Sequence, residues 1–306
     1  MNPLVSIIIP TYNRADDLKR AILSVLAQSY KAWEIMIVDN HSEDDTNNVV
    51  RSFNDSRIKI YKINNAGIIA ASRNLGISHA NGKYVAFLDS DDWWASEKLE
   101  ISVNCLESGN DFVYHSMFSV KKHNFNLFFK KTKVRDLESN IFNDLIVGGN
   151  GITTSSVVIR KSIIDQVGGM SEDRKLIGIE DFDTWLRVAK VTEKFECIHK
   201  TLGFYWIGMG GGGGYWKNLK PAEVSQNFKN FKLLYIEDFD KLYEQKGYWI
   251  DWIVGMAYLR NKNYSISKKY FLQISKLNTP WPIMLRVKLL LLFIDLVSIK
   301  IRNENL

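Results

Sequence analysis

The stretch YVAFLDSDDWW, residues 84–94, decides the fold. It opens with an apolar run at 84–88 that is typical of a buried strand. Three carboxylates then follow within four positions, at Asp89, Asp91 and Asp92. Like charges this close repel one another, so the cluster needs either a cation among its members or full exposure to solvent.

Strand and helix patterns alternate on both sides of this stretch. Such alternation favours an α/β fold, in which helices cover both faces of a mostly parallel sheet. Apolar runs predict strands at 5–9, 34–39, 58–61, 84–88, 112–115, 156–160, 195–198 and 204–207, and periodic apolar residues predict helices at 14–28, 44–51, 68–78, 95–107 and 180–190.

The composition indicates an ordinary globular protein. The chain has 306 residues, of which 46% are hydrophobic and 24% are charged. The strand–helix alternation predicts one domain over 1–220, and the helical patterns that follow predict a helical region over 221–306. The net charge of +6 suits an anionic ligand or an acidic membrane surface, and no Lys/Arg run resembles a nucleic-acid groove reader.

The two cysteines and the N-terminal segment bear on the compartment. Cys105 and Cys197 have no metal-type spacing, so we expect buried thiols in a reducing compartment. Residues 1–10 lack the basic start and the long apolar run of a secretory signal. A cytoplasmic protein is therefore expected.

Polar residues fall where predicted strands end, at 10–13, 39–40 and 89–92. Open α/β sheets bind ligands beyond the carboxyl ends of their strands, so we expect these segments to form one site. The first strand leads into Pro-Thr-Tyr-Asn-Arg, which lacks a glycine-rich turn. This disfavours a dinucleotide-dependent dehydrogenase and a nucleotidyltransferase.

The acids at 89–92 predict a divalent-cation site. Carboxylate oxygens suit Mg²⁺ or Mn²⁺, which share their ligand shell with substrate phosphates. On an extended chain Asp89 and Asp91 point to the same side and can face one ion. The alternative is a solvated turn whose acids favour the start of the helix near Ala95.

Four ordered segments together resemble the family 2 glycosyltransferases. This resemblance covers roughly residues 3–207. It implies a GT-A fold, a Rossmann-like, mostly parallel sheet with flanking helices, and an inverting enzyme that uses a nucleotide sugar. The segments are VSIIIPTYNRADDLKRAILSVLAQSY (5–30), EIMIVDNHSEDDT (34–46), NNAGIIAASRNLGISHANGKYVAFLDSDDWW (64–94) and IEDFDTWLRVA (179–189).

The resemblance assigns the nucleotide-sugar site residue by residue. For three positions the residues alone leave another role open: packing for Tyr12, a helix cap for Asp39 and a surface position for Arg73. The resemblance implies that Thr11, Tyr12 and Asn13 lie beside the nucleoside and that Asp39 accepts a hydrogen bond from the uracil ring. It implies that Asn65, Gly67 and Arg73 line the base and the diphosphate. It also implies that Asp89, Ser90, Asp91 and Asp92 lie at the metal, with Asp91 and Asp89 as its ligands.

A second acidic pair, Glu180 and Asp181, opens the helix predicted at 180–190. Acids in the first turn of a helix are also explained by the helix dipole alone. The resemblance implies that Asp181 is the catalytic base, with Glu180 and then Asp183 as rival candidates. The bound cation then stabilises the leaving diphosphate.

Two features depart from the family pattern. Many relatives have an Arg-x-His at the place where this chain reads Trp-Ile-Gly at 206–208, so no histidine is expected on the metal. His199 is expected to be structural. The five glycines at 210–214 predict either a loop without a role or a flap that closes over the substrate.

Residues 283–301 predict a long apolar helix. Its charged residues Arg286, Lys288 and Asp295 make it a poor transmembrane span. A wide apolar face with basic residues at both ends suits a membrane interface. Packing against the catalytic domain or a second subunit would explain the same face.

Together with the acidic clusters, the resemblance implies an inverting, Mn²⁺- or Mg²⁺-dependent hexosyltransferase that uses a UDP-sugar, with UDP-glucose or UDP-galactose as the expected donor. The expected acceptor is a saccharide linked to undecaprenyl diphosphate, in bacterial O-antigen (lipopolysaccharide) or capsule biosynthesis. The expected location is the cytoplasm, peripherally on the inner face of the plasma membrane. Transfer of an N-acetylhexosamine from UDP-GlcNAc or UDP-GalNAc and a non-catalytic nucleotide-sugar-binding module are the alternatives.

Overall fold

The computed structural model describes residues 2–120, 130–132, 134–207, 219–246, 248–277 and 279–304, without the side chains of 243–246 and 300–304. The chain divides into two compact units. The first contains Met1–Ile141 and Gly151–Gly214, and the second contains Phe142–Asn150 and Tyr215–Leu306. A domain boundary at 220 stays a prediction.

The N-terminal part of the sheet is parallel, as the alternating pattern predicts. Its strands follow the order β3-β2-β1-β4, and all of its neighbouring pairs are parallel. The elements are β1 (Val5–Thr11), α1 (Ala15–Leu26), β2 (Trp33–Asp39), α2 (Thr46–Ser52), β3 (Ile58–Lys62), α3 (Ile69–Ser78) and β4 (Tyr84–Phe87).

Helix packing on this part follows from side-chain spacing and size. Helix α1 buries Leu18, Ile22 and Val25, which recur every three to four residues and face the sheet. In α3, a Cβ atom added to Gly76 would lie 2.6 Å from Cγ2 of Ile8. The glycine therefore lets α3 approach β1 more closely than any other residue would.

The remaining part of the sheet is mixed. It continues from β4 in the order β8-β6-β9-β5, with β7 paired to β6. The two strands predicted at 195–198 and 204–207 are one strand, whose register opposite 115–118 is irregular. The elements are β5 (Trp93–Trp94), α4 (Lys98–Glu107), β6 (Phe112–Val120), β7 (Lys130–Lys131), α5 (Ile141–Gly148), β8 (Val158–Arg160), α6 (Lys161–Gln166), α7 (Glu180–Ala189) and β9 (Phe195–Trp206).

The direction of β8 places one further segment at the ligand-binding edge. Strand β8 runs antiparallel to β4, with Ala86 opposite Val158 and Tyr84 opposite Arg160. The chain that enters β8, a 3₁₀ turn at Thr154–Ser156, therefore lies beside the carboxyl end of β4. Hydroxyl side chains reach the edge in this way.

The second unit contains further helices, and the last of them includes the predicted 283–301 helix. One core cluster of this unit contains Phe271, Ile274, Val287 and Ile294, all buried. None of the helices in the described residues is both long enough and apolar enough to cross a membrane. The helices after residue 220 are Pro221–Leu234, Ile236–Lys246, Trp249–Arg260, Tyr264–Ser275 and Trp281–Glu304.

Candidate active site

The ends of β1, β2 and β4 meet at one edge of the sheet. Thr11 and Asp39, the last residues of β1 and β2, are partners in register. The amide of Asn40 donates to the carbonyl oxygen of Thr11 at 3.0 Å. Strand β4 pairs with β1 up to Phe87, opposite Ile8. The polar segments 11–13, 39–40 and 89–92 are thus brought together.

One carboxylate oxygen of Asp39 has no hydrogen-bond partner among the described residues. Asp39 is buried, and its Oδ1 accepts from the amide of Ser42 at 2.9 Å and from the Ser42 hydroxyl at 2.5 Å. Its Oδ2 is buried and has no hydrogen-bond partner within the part of the chain that the structure describes. Because the N-cap of α2 is Asp45, Asp39 does not cap that helix. It can accept one further hydrogen bond, such as one from a nucleobase N–H.

The loop after β1 presents an aromatic ring. Asn13 has a left-handed backbone, with φ of 49°. Its amide donates to the Ser42 hydroxyl, and its Oδ1 accepts from the amide of Glu43, both at 2.8 Å. These hydrogen bonds connect the loop after β1 to the segment that contains Ser42 and Glu43. Tyr12 remains 54% exposed. Its ring is thus accessible to a planar ligand and is not a packing residue.

Asn65 organises the turn before α3. The backbone amide of Asn65 donates to Oδ1 of Asn40 at 2.9 Å, and its side-chain Nδ2 donates to the Ser72 hydroxyl at 2.8 Å. Its Oδ1 accepts from the amide of Gly67 at 2.9 Å. Gly67 has φ of 83°, a backbone conformation that favours glycine. The segment is therefore fixed beside the end of β2.

Arg73 is buried and binds two carboxylates, so it is not a surface residue. Its Nη1 donates to Oε1 of Glu180 at 3.0 Å, and its Nη2 donates to Oδ1 of Asp89 at 2.8 Å. Burial disfavours the guanidinium charge, but Asp89 and Glu180 hold the pKa of Arg73 above its ordinary value. The arginine thereby links α3, the end of β4 and the start of α7.

The acids at 89–92 form a turn and do not continue the strand. Strand β4 ends at Phe87, and the amide of Asp92 donates back to the carbonyl oxygen of Asp89 at 3.0 Å. The expected same-side alternation of Asp89 and Asp91 therefore does not apply. Asp91 binds a different cation, Nη1 of Arg14, at 2.9 Å.

The third acid of the turn is fully buried, and Ser90 between the acids is buried too. Oδ1 of Asp92 accepts from the amide of Trp206 at 2.9 Å. Among the described residues its Oδ2 has no hydrogen-bond partner. Asp92 therefore has an oxygen with unused acceptor capacity behind the two more accessible acids.

Negative charge is concentrated at this turn. Burial, together with the charge of Asp89, raises the pKa of Asp91 to about 6, although Arg14 opposes the shift. Burial, followed by the charges of Asp91 and Asp89, raises the pKa of Asp92 well above its ordinary value. A divalent cation bound here would relieve this repulsion, and the oxygen donors are those that Mg²⁺ and Mn²⁺ prefer. The donor set therefore fits the predicted metal.

The paired tryptophans after the acids hold the turn in place. Arg20 donates to the carbonyl oxygen of Asp91 at 2.8 Å. Its guanidinium lies over the ring of Trp93, 4.4 Å from the centroid, and 5.2 Å from that of Trp206. Nε1 of Trp94 donates to the carbonyl oxygen of Ser155 at 2.8 Å. In the sequence DDWW, the last two acids of the turn are thus followed directly by the two tryptophans that hold the turn in place.

Asp181 is the acid best suited to accept a proton. Its Oδ2 accepts from the hydroxyl of Thr154 at 2.9 Å, and its Oδ1 accepts from the amide of Phe182 at 2.6 Å. Burial and the neighbouring charge of Glu180 raise the pKa of Asp181 to about 6, against the opposing charge of Arg73. A carboxylate with this pKa is ionised near neutrality and is a stronger base than an ordinary aspartate.

The rival acids on α7 are already engaged. Glu180 accepts from Arg73 and, through Oε2, from the amide of Gly178 at 2.6 Å. Oδ2 of Asp183 accepts from Nε of Arg187 at 2.8 Å, and Asp183 is only 4% exposed. Both carboxylates therefore support the structure around Asp181.

Sequence reasoning missed the hydroxyl residues that complete the site. Thr154 binds Asp181, and the Ser155 hydroxyl accepts from the amide of Asp89 at 3.0 Å. The polar run at 153–155, directly before the strand predicted at 156–160, was an available signal. Its meaning depends on the antiparallel direction of β8, which the sequence does not reveal.

Other predicted features lie elsewhere. The ligand atoms of Asp136, Cys197 and His199 lie within 4.8 Å of one another, and a structural role for His199 stays a prediction. Both cysteines are free; Cys197 is buried, but Cys105 is only half-buried. The glycine run at 210–214 lies outside the described residues.

Comparison with known sequences identifies related proteins. Residues 6–168 match the sequence model of Glycosyl transferase family 2. WfaP of Escherichia coli, a "UDP-Glc:alpha-D-GlcNAc-diphosphoundecaprenol beta-1,3-glucosyltransferase", is 34% identical over 185 residues, which cover 60% of this chain and 70% of WfaP. WfgD of Escherichia coli carries the same description and is 42% identical over 112 residues, 36% of this chain and 44% of WfgD. The matched segment thus spans less than half of WfgD.

Solved structures share the fold. TarS 1–349 of S. aureus in complex with UDP-GlcNAc has a TM-score of 0.61 at 17% identity, over 89% of this chain and 76% of that one. The mannosyltransferase PcManGT from Pyrobaculum calidifontis, in complex with GDP-Man and Mn²⁺, has a TM-score of 0.57 at 17% identity, over 98% and 81%. The predicted GT-A fold with C-terminal helices is confirmed.

Proposed function

The chain belongs to Glycosyl transferase family 2, and on that premise we propose that it is an inverting glycosyltransferase using a UDP-sugar and a divalent cation. One observation carries the proposal. At the ligand-binding edge, Arg73 links Asp89 of the acidic turn at 89–92 to Glu180, and Asp181, whose pKa is raised to about 6, directly follows Glu180. One end of this arrangement can hold a diphosphate through a cation, and the other can accept a proton.

We assign the donor nucleotide to the ends of β1 and β2. Oδ2 of Asp39 has the acceptor capacity for a uracil N–H, and the exposed ring of Tyr12 offers a stacking surface. WfaP and WfgD are described as UDP-Glc enzymes, which favours UDP-glucose as the donor. UDP-galactose and the UDP-N-acetylhexosamines are the alternatives, and TarS was solved with UDP-GlcNAc.

We assign the cation to Asp91 and Asp89, with Asp92 behind them. Mn²⁺ or Mg²⁺ bound there would stabilise the charge of the leaving diphosphate. Burial and the neighbouring charge of Asp89, which together raise the pKa of Asp91, support this assignment, and so does the Mn²⁺ in the PcManGT complex. Arg14, which binds Asp91 in this structure, would have to move or share that carboxylate.

The transfer step follows from the position of Asp181. Its carboxylate removes the proton from an acceptor hydroxyl while that oxygen attacks the anomeric carbon of the donor. A carbon–oxygen bond forms to the acceptor, and the bond to the diphosphate oxygen breaks as UDP leaves. Attack opposite the leaving group inverts the configuration. Unlike in glycosidases, no carboxylic acid has to protonate the leaving group.

The acceptor is proposed from the relatives. The descriptions of WfaP and WfgD name alpha-D-GlcNAc-diphosphoundecaprenol. We propose a saccharide on the same type of lipid diphosphate for this chain, in bacterial O-antigen or capsule biosynthesis. Such an acceptor places the enzyme on the cytoplasmic face of the plasma membrane.

The test is direct. The protein is incubated with a panel of UDP-sugars, Mn²⁺ and a lipid-diphosphate-linked GlcNAc, and both UDP release and the glycosylated product are measured. The proposal expects product with one donor, UDP-glucose first, and loss of product in chelator. A folded protein that binds UDP but forms no product with any donor would be a nucleotide-sugar-binding module instead.

A further inference from the structure

The helix Trp281–Glu304 presents two different apolar faces. One face packs in the core of the second unit through Val287 and Ile294, which are buried against Phe271 and Ile274. The other face is exposed. Its seven large apolar side chains are between 47% and 75% exposed: Trp281, Leu285, Leu289, Leu292, Phe293, Leu296 and Ile299. We call these seven residues the outer face.

The outer face is a continuous stripe. At 3.6 residues per turn its members fall within an arc of about 120° along the helix. Single exposed apolar residues are normal on a protein surface, but a contiguous apolar stripe of this length marks a site of interaction. The helix contributes to the core without this stripe, so folding does not account for it.

Positive charge borders the outer face on both sides. Arg286 lies about 20° beyond one edge of the stripe, and Lys288 lies about 20° beyond the other, at 3.6 residues per turn. Both side chains are exposed. Such residues can rest their aliphatic stems on an apolar surface while their charges reach a polar layer.

Negative charge near the outer face is scarce. Between residues 249 and 299 the sequence has seven Lys and Arg residues and two Asp residues, a net charge of +5. One of the two, Asp295, is bound by Lys268. An apolar stripe with a basic border complements the interface of an anionic bilayer, where hydrocarbon lies beneath negatively charged headgroups.

We propose that the outer face docks the protein on an anionic phospholipid surface, with the helix lying in the plane of the interface. This inference rests on the proposed function, because a lipid-linked acceptor is confined to that surface. Docking changes a search in three dimensions into a search along the membrane. Trp281, at one end of the stripe, suits the headgroup boundary.

The full chain is tested by flotation with two kinds of vesicle, one of phosphatidylglycerol and phosphatidylethanolamine, the other of phosphatidylcholine alone. The triple variant Leu289→Gln, Leu292→Gln, Leu296→Gln removes apolar area at exposed positions and should weaken partition to anionic vesicles by at least about tenfold. Arg286→Glu with Lys288→Glu should weaken it too, and added salt should reduce wild-type binding. The matched control is Leu23→Gln, an exposed leucine in α1, which should bind normally.

Three results would overturn the inference: normal binding by the triple variant, equal wild-type binding to both kinds of vesicle, or a dimer in sedimentation that the triple variant abolishes without any vesicle binding. The last result would assign the outer face to a second copy of the chain. Donor turnover is followed in parallel as UDP release. Vesicle binding without turnover in the wild type would contradict the proposed function alone, and turnover without vesicle binding would contradict this inference alone.

Discussion

At the scale of single residues, Asp181 differs from the neighbouring acids of α7 because no arginine among the described residues binds its carboxylate. Glu180 and Asp183 are each bound to an arginine, whereas Asp181 is held by a hydroxyl and an amide. Hydroxyl and amide donors orient a carboxylate without neutralising it. Its raised pKa therefore reflects burial and a like charge, the environment found around catalytic bases.

The first prediction concerns the base itself. Asp181→Asn keeps the shape and the Thr154 contact but cannot accept a proton, so transfer should fall by about 10²–10⁴-fold. UDP affinity, measured by calorimetry, should stay at the wild-type value. Asp183→Asn on the same helix is the control and should retain transfer with some loss of stability. Substantial transfer by Asp181→Asn would move the base role to Glu180.

The second prediction concerns pH. Because the pKa of Asp181 is raised to about 6, the carboxylate is ionised above that pH and becomes protonated, and inactive as a base, below it. The rate of transfer at saturating Mn²⁺ should be level near neutrality and fall by about tenfold for each pH unit below 6. The residual rate of Asp181→Asn should lack this step. A level wild-type profile well below pH 6 would contradict the assignment.

The third prediction concerns the cation. Asp91→Ala should abolish the part of UDP affinity that depends on Mn²⁺, because the diphosphate would lose its link to the acidic turn. The measurement is UDP titration with Mn²⁺ and with chelator. Asp17→Ala is a useful control, since Asp17 is also bound by Arg14 but lies outside the turn. Equal UDP binding by the wild type in Mn²⁺ and in chelator would contradict the metal assignment.

The chemical role of a residue could be predicted where the pattern that indicates this role lies within one short segment. The carboxylates at 89–92 predict a cation site from their spacing after a buried strand, and Asp39 stands out because it ends a strand. For the acids at 180–181, the base role came only from the family resemblance. The partners of these acids were not predictable. Arg73 reaches Glu180 across 107 positions, and Thr154 reaches Asp181 across 27, so only the folded chain shows these contacts.

At the scale of elements, Arg73 fastens α3 to α7 and to the end of β4. It is buried together with Glu180, so removing either partner leaves an uncompensated charge in a region of low dielectric constant. Such a contact fixes the relative position of two elements. The geometry of the acids at the edge of the sheet depends on it.

The fourth prediction tests this coupling. Arg73→Met should lower the free energy of unfolding by about 3–5 kcal/mol, because Glu180 is left buried and unpaired. Adding Glu180→Gln should restore part of that loss, which urea denaturation of the single and double variants would measure. As a control, Lys161→Met removes a surface ion pair with Asp165 and should cost no more than about 1 kcal/mol. Additive losses in the double variant would contradict the coupling.

A helix or strand could be predicted where its own sequence contains the pattern that identifies it. Strands β1, β2 and β4 and the helices between them were predicted because a buried parallel strand is a short continuous apolar run and each helix has its own period. Strand direction has no such local signal, so the antiparallel β8 was not foreseen. The strand β9 was divided in two because polar residues at 199–201 interrupt its apolar run, at the place where its register with β6 shifts.

At the scale of the whole molecule, buried apolar residues pack within each of the two units. In the first unit a core lies between the sheet and its helices, and a core in the second unit includes Phe271, Ile274, Val287 and Ile294. The candidate site lies entirely in the first unit. A change in the second core should therefore affect stability more than nucleotide binding.

The fifth prediction follows from this separation. Ile294→Ala removes a buried side chain and should destabilise the second unit by about 2–5 kcal/mol, which chemical denaturation would measure. UDP affinity should be unchanged. Ile299→Ala on the same helix is the control, since Ile299 is 55% exposed and its loss should cost within about 0.5 kcal/mol. A large change in UDP affinity for Ile294→Ala would show that the two units are energetically coupled.

The reversed direction of β8 has a consequence for how such enzymes diverge. The residues proposed to hold the nucleotide are encoded before position 95, whereas the aspartate proposed as the base and the threonine that donates to it are encoded after position 150. Recombination of genes between those two points would keep the proposed nucleotide-binding residues and exchange the proposed base together with its partner.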